Sequence, residues 1–345
     1  MDFEPTDRCK ALLERLREFM AAHVYPVERE VEEALDREVD ADTPFPAILV
    51  DLRARAKADG LWNLFLPHGE LGPGLTNGEY GVLCEEMGRA TLVAPYVFNC
   101  QPPDSGNMEI LAEHATADQR ERWLHPLLEG DIRSCYSMTE PDTAGSDPTG
   151  LKLSAVKEGN EWVINGRKWW TTNALGARQA GFKIAQDRLG PGRIHHCMRL
   201  IGVAERALEM MCERAKTREM FGSTLAEKQF IQDFIALSRI EIDQARLVTA
   251  HAAWKLDQVG NRAAREELSI TKVVAPSMAL RVVDRAIQVF GGAGVSDDTP
   301  LSSMYRYNRM LRIGDGADEV HKQVIARLEL AKVPDAAPAE PAAVR

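Results

Sequence analysis

The sequence has no long apolar run, no paired-cysteine spacing and no basic cluster, and each absence removes a class of protein. Nowhere in the 345 residues is there a run of about 18 uncharged apolar residues, the length a membrane-spanning helix needs. The opening MDFEPTDRCK lacks the basic and apolar regions of an export signal. These features lead us to expect a cytoplasmic protein with no membrane span. The six cysteines (Cys9, Cys84, Cys100, Cys135, Cys197 and Cys212) show no CxxC pattern. They read as reduced thiols packed as small hydrophobes, not as a zinc site or a disulfide framework. The 42 basic and 52 acidic residues leave a formal charge of −10, so nucleic acid is not an expected partner.

What is present is mostly helical patterning. Leu12, Leu13, Leu16, Phe19, Met20 and His23 follow i, i+3, i+4 spacing behind the cap candidates Thr6 and Asp7, and Pro26 interrupts before Val27, Val31 and Leu35. Glu79 to Met87 predicts a further amphipathic segment closed by Gly88. Thr116 and Gln119 have capping-box spacing ahead of Trp123, Leu124 and Leu127. From Ser134 the character changes: Cys135–Thr139, Leu151–Val156 and Trp162–Thr172 are short β-prone runs, and Lys157-Glu158-Gly159-Asn160 reads as a hairpin loop.

After about Ile194 the helical period returns. Ile201, Ala204, Leu208 and Met211 share one face; Ile231, Phe234, Ile235, Ile242 and Ala245 share another. Val274, Met278, Val282 and Ile287 mark a third helix, with Pro276 as an expected kink, and Asp318 to Leu330 marks a fourth. The fold class expected is therefore mainly α with a small β region. The expected divisions are an N-terminal helical domain (1–133), a central β domain (134–180), a C-terminal four-helix bundle (181–332) and a disordered Ala/Pro-rich tail (333–345).

The segment from Tyr136 to Asp147 alternates hydroxyls with apolar groups before a Gly-Ser turn, and Asn165 to Asn173 carries paired tryptophans. Such a stretch can present donors to a planar ligand, and it equally fits an ordinary edge strand and turn. Three further motifs follow in order: Arg218-Glu-Met-Phe-Gly222, Gln288-Val-Phe-Gly-Gly-Ala-Gly294 and Arg312-Ile-Gly-Asp-Gly316. Together, the four motifs resemble the acyl-CoA dehydrogenase family from the first helix to about Leu330.

The resemblance implies FAD as cofactor, an acyl-CoA substrate, a homodimer or homotetramer, and an electron-transfer flavoprotein as acceptor. It makes Tyr136, Met138 and Thr139 flavin contacts, sets Trp170 and Thr172 beside the isoalloxazine ring, and places Ser146 near the flavin or acyl-CoA. Arg218 and Phe221, with Gln229 a weaker match, correspond to residues at the pyrophosphate and adenine end of FAD across a subunit interface. Gln288, Gly291 and Gly292 correspond to a second such stretch. Arg193 and Gly316 fall at substrate positions.

The implied chemistry removes the α proton of a thioester and transfers a β hydride to flavin N5, which requires a carboxylate against the α carbon. Where the family usually has glutamate this chain has Asp315, an arm one methylene shorter, and its N–H could bind the thioester oxygen. The plainer reading of an Asp between two glycines is a helix cap. Arg193 could equally be a solvated residue in a first helical turn. His195 and His196 point about 100° apart on a helix and read as structural, not metal-binding. Glu28 to Glu33 reads as a solvated face and Met210-Met211 as core.

The resemblance also implies several further strands after Asn173, completing a β-barrel, and here only a short stretch intervenes before Gly181. A truncated barrel exposes strand edges and loses one wall of the flavin pocket. The expectation is a fold carried by the helical domains with weakened FAD affinity. The alternatives are a catalytically silent helical oligomer without flavin and a flavin oxidase that reduces oxygen.

Overall fold

The computed structural model describes residues 4–37, 45–173 and 185–333. The boundary expected at 180/181 and the tail beyond Val333 lie outside the described residues.

The N-terminal helices begin where their caps dictate. The Thr6 hydroxyl accepts the Cys9 N–H at 3.2 Å and opens α1 (Asp7–Phe19), which buries Cys9, Leu12, Leu16 and Phe19. Short turns at Met20–Val24 and Tyr25–Val27, the latter containing Pro26, separate it from α2 (Glu28–Arg37). After α3 (Ala47–Ala58), α4 (Asn77–Gly88) starts with a reciprocal Thr76–Glu79 capping box. Asp257 adds a second cap to α4, accepting the Asn77 and Gly78 N–H groups at 3.0 Å. Next come α5 (Asp104–His114) and the Thr116–Gln119 capping box, with helical backbone from Ala117–Gln119 through His125–Glu129.

The β region is smaller than expected. β1 (Ser154–Glu158) and β2 (Glu161–Asn165) form an antiparallel hairpin around Gly159, whose φ is 63°, and every residue of both strands is exposed. The first β-prone run, Cys135–Thr139, forms no strand. A strand needs a neighbour for its ladder. This segment receives a single backbone bond from the third run, Trp169 N–H to the Thr139 carbonyl at 3.0 Å, while the Met138 carbonyl is taken by Lys168 Nζ at 2.7 Å. The third run is a strand only as far as Asn165.

Side chains hold this stub to the helices. Buried Asp104 of α5 accepts the Ser134 N–H at 2.6 Å, and Asn107 donates to the Ser134 hydroxyl at 2.8 Å. Glu140 accepts from Lys168 Nζ at 2.9 Å and from the N–H groups of Lys152 and Leu153 at 2.7 and 2.9 Å. Lys168 first, then the two N–H groups, holds its carboxyl down at about 2.

The C-terminal part consists of α6 (Ala185–Thr217), the two-residue strands β3 (Glu219–Met220) and β4 (Ser223–Thr224), α7 (Gln229–Ala263), α8 (Arg265–Phe290), α9 (Leu301–Leu311) and α10 (Asp318–Leu330). The three long helices pack on one another, and α9 and α10 pack on α8. α8 runs through Pro276; the break lies instead in α7 at Gly260, whose φ of 75° is non-helical. One continuous apolar core joins the two helical parts, with Leu83 and Met87 of α4 beside Met198 and Ile201 of α6. The helices meet through glycines. A Cβ on Gly202 would lie 1.9 Å from the Glu85 carbonyl oxygen, and one on Gly88 would lie 2.2 Å from that of Arg199. Glu28, expected in a solvated charge run, pairs with Arg206 of α6 at 2.7 Å and is largely buried there.

Candidate active site

The turn between α9 and α10 carries Asp315. Arg312 and Asp318 clamp its ends at 2.6 Å, and the Asp318 N–H bonds the Arg312 carbonyl at 3.2 Å. Inside the clamp the backbone enters the left-handed region, with φ 55° at Asp315 and 100° at Gly316. Asp tolerates that conformation better than most side chains. Gly316 is required on space as well, since a Cβ there would lie 2.7 Å from His321 Nε2.

Arg193, His321 and His196 hold Asp315. Its carbonyl accepts from Arg193 Nε at 3.2 Å and faces His321 Nε2 at 3.3 Å, while the other His321 nitrogen meets the Ser269 hydroxyl at 3.4 Å. Its carboxylate Oδ2 lies 3.1 Å from His196 Nε2, and the Asp315 side chain is 28% exposed. The helix-cap reading is thereby overturned: the N-cap of α10 is Ala317, and the Asp315 carboxylate is turned to α6. Arg193 is a half-buried residue inside α6 that touches the Asp315 turn, not a solvated first-turn residue.

The surroundings are basic but poorly solvated. Burial pushes the His321 pKa down to about 4, with Arg193 and Lys272 acting in the same direction. Burial also lowers His196, against the opposing pull of Asp315. Lys272 is fully buried and donates to the Leu311 carbonyl. Burial raises the adjacent Cys197 thiol to about 11. No cluster of potential metal ligands occurs among the described residues.

The other expected residues are exposed or half-buried. Met138 and Thr139 are tied to Lys168 and Trp169, whose ring centroid is 5.8 Å from that of Trp170. Trp170 is 82% exposed with a φ of 55°. Tyr136 is half-buried, whereas Thr172 and Ser146 are exposed. Arg218 and Phe221 sit on the β3–β4 hairpin, Phe221 being 92% exposed with a φ of 50°. Gln229 begins α7; Gln288 ends α8, followed by exposed Gly291, with φ 64°, and Gly292. Bulky aromatics in the left-handed region are uncommon and cluster at functional sites. The structure thus joins Arg193, Asp315 and Gly316 directly; of the other candidates, Tyr136, Met138 and Thr139 are half-buried and the rest are exposed.

Sequence reasoning missed His196, His321 and Lys272 as neighbours of Asp315. The one available signal was the three-residue spacing of Arg193 and His196, which puts both on one helical face.

Sequence profiles for three parts of one family match the chain: the acyl-CoA dehydrogenase N-terminal domain over residues 6–131, the middle domain over 135–205 and the C-terminal domain over 179–330. Acyl-CoA dehydrogenase family member 11 of chicken (Gallus gallus) is 41% identical over 401 residues, with 95% of this chain and 51% of that protein covered. The chain therefore spans about half the length of that relative. FadE2 of Mycobacterium tuberculosis, assigned as an acyl-CoA dehydrogenase, is 42% identical over 400 residues, with 96% of this chain and 98% of that protein covered. Both matched stretches exceed this chain's 345 residues, so each includes positions that this chain lacks. A solved structure from Mycobacterium abscessus, assigned to the same class, superposes with a TM-score of 0.87 at 43% identity, covering 95% of this chain and 99% of the other.

Proposed function

Since the chain belongs to the acyl-CoA dehydrogenase family of flavoprotein enzymes, we propose that it catalyses flavin-dependent α,β-dehydrogenation of an acyl-CoA thioester, with Asp315 as the base for the α proton. The observation that carries this reading is Asp315 itself: a left-handed residue anchored through its carbonyl, with a partly accessible carboxylate directed to His196. Proton removal converts that carboxylate to the neutral acid. In a poorly solvated pocket beside the cations Arg193 and Lys272, the charge change is felt strongly. Arg193, Gly316 and Ser146 are the proposed thioester contacts.

The residues present fit FAD. Trp170 and Phe221 offer exposed aromatic faces on left-handed backbone, and Arg218 offers an exposed guanidinium suited to a pyrophosphate. A Cβ on Gly222, Gly291 or Gly292 would meet nothing within 4 Å, so the backbone there is open to close approach. Tyr136, Met138, Thr139, Trp170 and Thr172 would hold the ring, and Arg218, Phe221, Gln229, Gln288, Gly291 and Gly292 the dinucleotide tail of a second copy. FAD bound there supplies the hydride acceptor at N5.

On this reading the chain divides at 134 and 181, with 134–180 as a reduced central domain, 181–332 as the bundle and 333–345 as a tail. A homodimer or homotetramer is supported by the apolar seam on α7, where Phe230, Leu237, Ile240, Leu247 and Trp254 are exposed at coiled-coil spacing. An electron-transfer flavoprotein is the proposed acceptor. Six free thiols fit the reducing cytoplasm, and no described helix is long and apolar enough to cross a membrane.

The bare β1–β2 hairpin favours reduced FAD affinity and keeps a second reading in play, a flavin-free helical oligomer. The test adds FAD and then octanoyl-CoA or a longer thioester to the purified protein without oxygen. Bleaching of the flavin spectrum supports the dehydrogenase; a colourless oligomer supports the second reading; peroxide formation in air identifies an oxidase.

A further inference from the structure

We propose that His196 is a positioning residue for Asp315, donating Nε2–H to Oδ2 as a neutral imidazole and fixing the carboxylate's direction. This deepens the reading of Asp315 as the base and rests on it.

The contact is 3.1 Å, and His196 is buried on α6. Its Nδ1 is buried with no hydrogen-bond partner, and that orphan decides the protonation state. An imidazolium would bury an unpaired N–H as well as a charge. The other neutral tautomer would aim a ring lone pair at the carboxylate and leave the same unpaired N–H. Only the Nε2–H tautomer makes the observed contact favourable, leaving a lone pair, not a donor, unsatisfied. Burial, which disfavours the charged ring, acts in the same direction.

A neutral donor suits this task better than a cation. An ion pair would stabilise the carboxylate strongly and weaken it as a base, whereas a neutral hydrogen bond chiefly orients it. Arg193 and His321 hold the Asp315 main chain, whereas His196 touches the carboxylate itself and so bears on the direction of the side chain. The short Asp arm makes that direction matter. The ionisable groups around Asp315 are Arg193, His196 and Cys197 from α6, Lys272 from α8, Tyr307 from α9, and Asp318 and His321 from α10.

The test compares wild type, H196Q, H196L and D315N, all loaded with FAD, by kcat, KM and the pH profile of flavin reduction. H196L is expected to lose about tenfold in kcat with little change in KM, and its acid limb should move up by about one pH unit as the carboxylate loses a donor. H196Q, which keeps an N–H at that reach, should recover most of both. Wild-type-like values in H196L overturn the proposal, as do equal defects in H196Q and H196L. Full activity in D315N overturns the parent reading and this one together; an inactive D315N with a normal H196L overturns this one alone. Should the His196 variants fail to fold, nitrogen-15 NMR of the wild type decides: a neutral, Nε2-protonated His196 at neutral pH supports the proposal, and an imidazolium or an Nδ1–H tautomer overturns it.

Discussion

At the crossing of α4 and α6, backbone lies against backbone, with Gly88 and Gly202 leaving no room for a Cβ and the core closed around them. In the β1–β2 hairpin, by contrast, all five residues of each strand are exposed, and Trp162 and Ile164 pack on nothing that would hide them. Both regions have regular secondary structure; only the first has partners. The difference teaches that the fold is organised by the helices, which also hold Asp315 from α6 and α10 with no contribution from β1 or β2. On the proposed function, the further strands that the family resemblance implies would cover the flavin side of the site, whereas the contacts that hold Asp315 come from the helices.

The contrast predicts graded effects. Gly202→Val forces the two helices apart and should cost at least about 3 kcal/mol in chemical denaturation. A smaller cost arises on acidification. His321 titrates at about 4 when folded against 6.5 as the ordinary value, so the unfolded chain binds the proton more readily. Stability should therefore be fully present above about pH 6.5 and fall by roughly 1–3 kcal/mol as pH drops towards 4, and His321→Gln should flatten that part of the curve. Arg206→Ala, which leaves the largely buried Glu28 without its 2.7 Å partner, should cost about 1–2 kcal/mol. Trp162→Thr together with Ile164→Thr should stay within about 0.5 kcal/mol. A large loss from this last pair would mean that the hairpin is covered in solution, and the contrast with the helical crossing would narrow.

The parts legible in the sequence were those with local causes. Thr6 and the Thr116–Gln119 pair fixed helix starts, and the 3.6-residue period fixed the long helices. The Gly-Asp-Gly turn was legible through its motif and Arg193 through the family resemblance, and the structure joins them. Cys135–Thr139 was misread because β-propensity cannot supply the neighbour that a ladder needs. Glu28 looked solvated because its partner, Arg206, lies far along the chain. His196 and His321 were hidden for the same reason: their roles exist only once α6, α8 and α10 are packed. Thr76, with Glu79 three residues on, was a missed signal that was present in the sequence.

Asp315 is the proposed base for the family's proton removal despite the shortened central domain. Wild type and D315N, loaded with FAD under oxygen-free conditions, should bind flavin equally. An acyl-CoA should bleach the wild-type spectrum within seconds to minutes and the D315N spectrum at least about a hundredfold more slowly. Equal bleaching of both, or none in a wild type that demonstrably holds FAD and thioester, would contradict the account.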